Sequence, residues 1–149
     1  MSNNLQCPVD FVAINENKAR VNAFFVLGLA ATYLLTGFWP IFLLLSADFL
    51  LRASSLANYS AIGFLSDAVI RQLNIGNKLV DRAPKRFAAW VGFGFSVAIV
   101  ASALLQWTLA ANALTGTIVV FAFLESFAGF CAGCYVYTFG LLLRGKKGE

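Results

Sequence analysis

The chain of 149 residues is more apolar than a water-soluble domain. Hydrophobic residues make up 60% of it and charged residues 12%, whereas soluble domains carry about 25% charged residues, and the mean hydropathy is +0.77. There is no histidine, which excludes histidine-ligated haem, histidine-containing zinc sites and Ser-His catalysis. The net charge of +4 is not gathered on one basic face, so no nucleic-acid partner is expected.

Four apolar stretches predict membrane-spanning helices, which need about 20 residues each. They cover residues 21–37, 40–57, 87–109 and 117–143. Polar residues that suit a helix start precede the first stretch, and Pro40 suits the first turn of the second. The predicted fold is all-α: an integral membrane four-helix bundle, formed by residues 1–149 as a single membrane domain.

Residues 59–75, between the second and third stretches, predict a helix of another kind. Its apolar residues recur at helical spacing and its charged residues lie elsewhere on the helical wheel. Because it is too polar to span, we interpret it as an amphipathic helix in the cytoplasmic interface. A loop helix packed on the bundle fits the same pattern.

The eleven Lys and Arg residues predict the orientation. Two precede the first span, six lie from Arg52 to Arg86, three follow the last span, and the first and third links carry none. All eleven therefore fall on one side of a four-span arrangement. The positive-inside rule then places both termini in the cytoplasm, in a multi-pass protein of a bacterial inner membrane.

The predicted fourth span contains a C-x-x-C pair, Cys131 and Cys134. Residues three apart share a helix face, so the two sulfurs suit a reversible disulfide or joint binding of a soft metal. Phe127, Tyr135 and Thr138 belong to the same face. Two small buried side chains that only pack against neighbouring helices are the simpler interpretation.

A third cysteine, Cys7, lies in the N-terminal tail on the predicted cytoplasmic side. The tail mixes apolar and polar residues and can fold back between the helices. Cys7 would then act as a resolving or relay thiol for the pair. A free tail thiol in a reducing compartment is the alternative.

Charged residues near or within the spans are further candidates. Glu125 falls inside the predicted fourth span, where an ionised carboxylate is costly, which favours a proton relay, a partner for a buried cation or a structural carboxyl. Asp48 and Arg52 are four residues apart and predict an ion pair. The basic cluster formed by Arg82, Lys85 and Arg86 is typical of a headgroup anchor, with an entry funnel for a sulfur oxyanion as the alternative.

Several motifs together carry a resemblance to a known family. They are Cys7-Pro8-Val9-Asp10, Asn15-Glu16-Asn17-Lys18-Ala19-Arg20, Asp81-Arg82-Ala83-Pro84-Lys85-Arg86-Phe87 and Phe130-Cys131-Ala132-Gly133-Cys134-Tyr135. Over nearly the whole chain they resemble a bacterial family of small integral membrane proteins catalogued as domain of unknown function 4395. The resemblance implies a loose link to thioredoxin-like and sulfur-transfer proteins, but no defined activity.

These observations give three functional hypotheses. The first is a membrane-embedded thiol redox or sulfur-handling protein that uses Cys131, Cys134 and Cys7, with a lipid quinone as a candidate cofactor and a thioredoxin-like or sulfur-carrier protein as a candidate partner. The second is a transporter or channel for a small sulfur compound or soft metal ion. The third is a non-catalytic scaffold or accessory subunit. Small-residue stripes (Gly92, Gly94, Gly129 and Gly133) permit a homodimer or packing within one bundle.

Overall fold

The computed structural model describes residues 13–54, 56–76, 79–129 and 132–146. This part of the chain is helical apart from two short paired strands. In chain order the elements are β1 (Ala13–Asn15), α1 (Glu16–Thr36), α2 (Pro40–Ala53), a 3₁₀ turn (Ala57–Tyr59), α3 (Ala61–Leu73), β2 (Leu79–Asp81), α4 (Arg82–Leu104), α5 (Thr108–Phe123) with a π-helical turn (Leu124–Ala128), and α6 (Ala132–Lys146).

The first two helices form an antiparallel hairpin. The side chain of Asn15 accepts a hydrogen bond from the backbone N–H of Asn17 at 3.0 Å and so caps the start of α1. Gly37 ends the helix in the left-handed region, at φ +69°, where glycine is favoured. The chain turns there, and the Tyr33 and Phe42 rings meet edge to face at 5.0 Å across the hairpin.

Helix α3 lies alongside α1 and runs antiparallel to it. Three contacts define this direction because their residue numbers rise in α3 as they fall in α1. Ser66 donates to Asn22, Lys18 Nζ contacts Asp67 Oδ2 at 2.8 Å, and the amide of Asn17 donates to the carbonyl of Gly76 at 2.6 Å just beyond α3. Thus α2 and α3 run in the same direction. The interfacial helix predicted for residues 59–75 is therefore packed along the bundle, as in the alternative interpretation.

The second half of the chain forms another hairpin. Antiparallel pairing of β1 with β2 places Asn15 opposite Leu79, so α1 and α4 start at the same end of the molecule. Helix α4 reaches Leu104, a turn with Gln106 at φ +64° follows, and α5 returns. α4 packs against α2 and α5, and α1 packs against α5.

The helix bounds differ from the third and fourth predicted spans. α4 covers residues 82–104 where 87–109 was predicted, and the turn at Gln106 lies inside that predicted span. The predicted span 117–143 is divided, because α5 starts at Thr108 and the helix breaks at Gly129, which has φ +68°. Apolar sequence continues through both breaks, so hydropathy alone does not reveal them.

The surface exposes many large apolar side chains, whereas several polar side chains are buried. Fully buried positions include the polar residues Ser66, Ser96 and Thr115, whereas Leu35 and Leu109 are 88% and 86% exposed. Helices Glu16–Thr36, Lys85–Leu104 and Thr108–Ala128 are each long and apolar enough to cross a membrane. An apolar exterior of this size is unfavourable in water and favourable in lipid. The chain is therefore an all-helical membrane protein.

Candidate functional site

The helices α2 and α3 are separated by a break whose two flanking residues, Ala53 and Ser60, are buried. Side chains form hydrogen bonds with the backbone groups that lack helical partners there. The buried carboxylate of Asp48 accepts hydrogen bonds from the Ser60 hydroxyl and from the Ile62 backbone N–H, the latter at 3.2 Å. Ser60 caps α3 by accepting from the Gly63 N–H at 3.0 Å. These bonds pair donors at the start of α3 that otherwise lack helical partners.

A side chain of α4 forms a hydrogen bond with the backbone at the end of α2. The Nε group of Arg86 donates to the carbonyl oxygen of Ala53, the last residue of α2, at 2.6 Å. Ala53 is fully buried. Because an unpaired carbonyl at a buried helix end is costly, Arg86 stabilises the end of α2 directly. The break is therefore built into the packing of three helices.

A cavity of about 440 Å³ adjoins this break. All six α-helices of the described residues contribute residues to its wall. Its charged residues are four cations (Lys18, Arg52, Lys85 and Arg86) and one carboxylate (Glu125), and Val26, Phe95 and Ile118 are among its apolar residues. The volume lies in the lower part of the range of about 300–1,000 Å³ that is typical of ligand sites.

Arg52 is one of the mostly buried cations of the cavity, with 18% of its side chain exposed. Its Nε lies 2.9 Å from Asp48 Oδ2, and its guanidinium lies over the Phe49 ring at 4.6 Å from the ring centre, within the range of a cation–π interaction. The Nη2 group is buried and has no hydrogen-bond partner among the described residues. The predicted Asp48–Arg52 pair is thus present, with donor capacity left over on Arg52.

Lys85 and Glu125 form a second ion pair at the cavity wall. Lys85 Nζ contacts Glu125 Oε1, and both side chains are mostly buried. Glu125 lies in the π-helical turn that ends α5, close to the start of α4 and not midway through a span as its predicted position required. Of the roles considered for this carboxylate, the geometry matches the partner for a buried cation.

The predicted cysteines fall at the edge of the described structure. Cys7 and Cys131 lie outside the described residues, and Cys134 lies in the first turn of α6. Two residues further along α6, Val136 lines the cavity. The role of the three thiols therefore stays a prediction.

The remaining predicted residues lie around this region. Phe127, Tyr135 and Thr138 are exposed and do not belong to the cavity wall, although the Phe127 ring packs on Phe123 at 4.8 Å between ring centres. Arg82 begins α4. Two residues of the basic cluster, Lys85 and Arg86, therefore form contacts within the protein, in addition to any contact with lipid headgroups.

Two of the four glycines considered for a dimer contact are used within the chain. A Cβ at Gly92 would lie 2.7 Å from the Phe49 ring, and a Cβ at Gly129 would lie 3.0 Å from Arg20 Cζ. Nothing lies within 4 Å of the corresponding position at Gly94. Close packing at Gly92 and Gly129 thus serves the folded monomer.

The sequence analysis did not identify the small polar residues that cap α3 and join it to α1. Asn22, Ser60 and Ser66 are small and polar, which is also typical of loops and of helix ends. Their available signal is position, since Asn22 lies within a predicted span and Ser66 lies on the same face of its helix as the apolar residues Ile62 and Leu73. A buried amide or hydroxyl in a membrane bundle needs a partner.

Comparisons with known proteins give one match. The family model described as Domain of unknown function (DUF4395) matches residues 14–141. No curated protein and no solved structure matches the chain.

Proposed function

The chain belongs to the DUF4395 family, as its motifs predicted, and we propose that it is a membrane-embedded thiol redox or sulfur-handling protein whose substrate binds in the cation-lined cavity. The observation that carries this proposal is the cavity itself, which joins four cationic side chains to a wall that includes Val136 of α6. Cys134 lies in the first turn of that helix. Cations near a thiol favour the thiolate, which is the reactive form.

The proposed arrangement in the membrane has four passes. α1, α4 and α5 are three of them, and α2 with α3 forms the fourth as one discontinuous pass. α6 would lie along the inner interface, where its basic end meets lipid headgroups. Pairing of β1 with β2 supports an even number of passes from the start of α1 to the start of α4, namely α1 itself and the pass formed by α2 with α3. The Lys and Arg distribution then favours cytoplasmic termini in a bacterial inner membrane.

In the proposed chemistry, Cys131 and Cys134 are the reactive pair and Cys7 is the relay thiol on the cytoplasmic side. Closure of the pair to a disulfide releases two electrons and two protons, so the reaction needs an acceptor. A lipid quinone is the proposed acceptor within the bilayer. A thioredoxin-like or sulfur-carrier protein would exchange with the thiols from the cytoplasm.

The experiment is a redox analysis of the cysteines in native membranes. Thiols are trapped with acid and an alkylating reagent, and mass spectrometry measures the disulfide and persulfide content of Cys131 and Cys134 with and without an added sulfur donor. We expect a substantial oxidised or persulfidated fraction that changes with the donor. Cys131→Ser and Cys134→Ser should each abolish it.

Ala132→Ser is the matched control because it introduces the same side chain between the two cysteines. It should keep the wild-type redox response. Cysteines that stay fully reduced under every condition, together with a Cys131→Ser, Cys134→Ser variant that keeps the phenotype of the wild type, would contradict the proposal and favour a scaffold or accessory subunit.

A transporter for a small sulfur compound is the second candidate, favoured by the discontinuous pass of α2 and α3. Transporters commonly bind their substrates where a helix is broken within the bilayer. Here the break adjoins Arg52 and the cavity. Uptake of a radiolabelled sulfur oxyanion into proteoliposomes distinguishes the candidates, since transport requires net accumulation whereas thiol chemistry changes only the protein and the modified substrate.

A further inference from the structure

We infer that the cavity binds an organic anion with an apolar body, held with its charged group near Arg52 and its apolar part against α1, α4 and α5. This inference deepens the proposed function because it names the class of ligand that the site accepts. It rests on the same cavity but needs no reactive thiol.

The polar part of the site is argued from Arg52. Its guanidinium is held on one side by Asp48 and on one face by Phe49, so its orientation is fixed before a ligand arrives. The buried Nη2 group has no acceptor among the described residues. A buried donor without an acceptor is energetically unfavourable. A ligand oxygen placed there would remove that cost and form a charge-assisted hydrogen bond.

The neighbouring charges favour an anion over a neutral group. Lys85 and Arg86 also line the cavity, and Glu125 is the one carboxylate among the lining residues that are described. Glu125 already contacts Lys85. Cations therefore outnumber carboxylates among the described lining residues, in a medium of low polarity where electrostatic attraction is stronger than in water.

The rest of the cavity favours an apolar body. Val26, Phe95 and Ile118 contribute to the wall away from the charged residues, and they belong to the hydrophobic core or pack against it. A small inorganic anion would leave this surface without a partner. An apolar chain would cover it, and burial of each methylene would add to the affinity.

The rim of the cavity indicates where such a ligand enters. Phe121 of α5 and Val136 of α6 line the cavity and are nevertheless 41% and 60% exposed. An apolar rim that faces outward from a membrane protein contacts lipid, so an amphiphile can pass between α5 and α6 from the bilayer. The ligand would then place its charged group inward, beside Arg52.

The test measures binding by native mass spectrometry of the whole protein in a nonionic detergent. The probes are decanoate, decylphosphonate, decanol and the methyl ester of decanoate, with acetate and thiosulfate as anions without a long apolar body. We expect one bound decanoate or decylphosphonate per chain, at least tenfold tighter binding than for decanol or the ester, and no comparable binding of acetate or thiosulfate.

Two kinds of variant locate the site. Arg52→Gln should weaken decanoate binding at least tenfold, while Arg71→Gln, an exposed arginine of α3 outside the cavity wall, should leave it unchanged. Because loss of Arg52 also leaves Asp48 without its ion pair, Phe95→Trp is the second variant. It keeps every charge and fills the apolar end, so it should shift the preference toward shorter chains.

Equal binding of decanol and decanoate would overturn the need for an anion, and equal binding of thiosulfate would overturn the need for an apolar body. Unchanged binding by both Arg52→Gln and Phe95→Trp would place the ligand elsewhere and overturn the inference. The same titration on the Cys7→Ser, Cys131→Ser, Cys134→Ser variant separates this inference from the proposed function. We expect that variant to bind normally even though it cannot perform thiol chemistry.

Discussion

Gly92 and Phe49 determine how closely α4 approaches α2. A Cβ at position 92 would lie 2.7 to 2.9 Å from three atoms of the Phe49 ring, which is closer than carbon atoms pack. The same ring supports the guanidinium of Arg52. Because Gly92 has no Cβ, α4 can approach α2 closely, and the Phe49 ring can keep the position in which it supports Arg52.

Gly92→Ala should lower the thermal unfolding temperature of the protein in detergent. Overpacking of this kind costs about 1–3 kcal/mol, which outweighs the gain of about 1 kcal/mol that alanine brings to a helix interior. Gly94→Ala is the matched control on the same helix, because nothing lies within 4 Å of its Cβ position, and it should be neutral or stabilising. Equal unfolding temperatures for the two variants would show that the Phe49 ring moves aside freely.

Gly129 has two independent reasons to be glycine. Its φ is +68°, and a Cβ would lie 3.0 Å from both Cζ and Nε of Arg20. Gly37 has a similar φ of +69° but open space around the Cβ position. A comparison of alanine substitutions at Gly37 and Gly129 therefore separates the free-energy cost of the backbone conformation from that of the contact with Arg20.

Gly129→Ala should destabilise the protein more than Gly37→Ala does, as measured by urea or thermal unfolding in detergent. Gly37→Ala should cost about 1–2 kcal/mol, the usual cost of the left-handed conformation, and Gly129→Ala should add the Arg20 clash to that. In an Arg20→Ala background the excess should disappear. An excess that persists there would assign it to something other than Arg20.

At the scale of elements, the break between α2 and α3 depends on one carboxylate. Asp48 is 3% exposed, accepts hydrogen bonds from Ser60 and Ile62 and contacts Arg52. It thus serves α2, the connection and the first turn of α3 together. Removal of one partner of a buried pair commonly costs about 3–5 kcal/mol.

Asp48→Ala should therefore loosen α3 before the rest of the protein. Hydrogen–deuterium exchange should accelerate at the amides of Ile62 and Gly63, with little change in α5. Ser46→Ala is the control in the same helix, since the Ser46 hydroxyl donates to the nearby carbonyl of Leu43 within α2. Faster exchange spread evenly over all helices would indicate general unfolding and contradict a local role for Asp48.

Sequence patterns predicted the helical class, the hairpin of α1 and α2 and the Asp48–Arg52 pair, because hydropathy, Pro40 and an i, i+4 spacing are local signals. The breaks at Gln106 and Gly129 were not predicted. They interrupt stretches that stay apolar. Both depend on backbone conformation, and the break at Gly129 also involves close packing against Arg20 from a distant part of the chain. The cavity was missed for the same reason, since its cations come from three separate helices.

At the scale of the whole molecule, polarity and connectivity support the same orientation. Leu35, Leu109 and Trp107 are exposed at or beside the ends of the helices where the chain turns, far along the chain from the basic residues. Lys18 and Lys85 lie at the opposite ends of α1 and α4. A protein with one apolar end and one basic end crosses a membrane in a defined direction.

Labelling of single cysteines tests this orientation. In a variant whose three native cysteines are serine, Thr36→Cys and Gln106→Cys should react with a membrane-impermeant maleimide added outside spheroplasts. Gln72→Cys and Arg144→Cys should react only after the membrane is opened. Labelling of Arg144→Cys from outside would mean that α6 crosses the bilayer and would contradict its proposed place at the inner interface.

In the proposed arrangement, where α2 and α3 together form one pass, the lengths of the two helices have a consequence for biosynthesis. The 14 residues of α2 extend about 21 Å at 1.5 Å per residue, less than the hydrocarbon thickness of about 30 Å, and α3 has 13 residues. Neither half is long enough to be integrated by itself. The partners that complete this pass, Asn22 and Lys18 on α1, have already been synthesised when α3 emerges from the ribosome. The first helix therefore acts as the template on which the second pass is assembled.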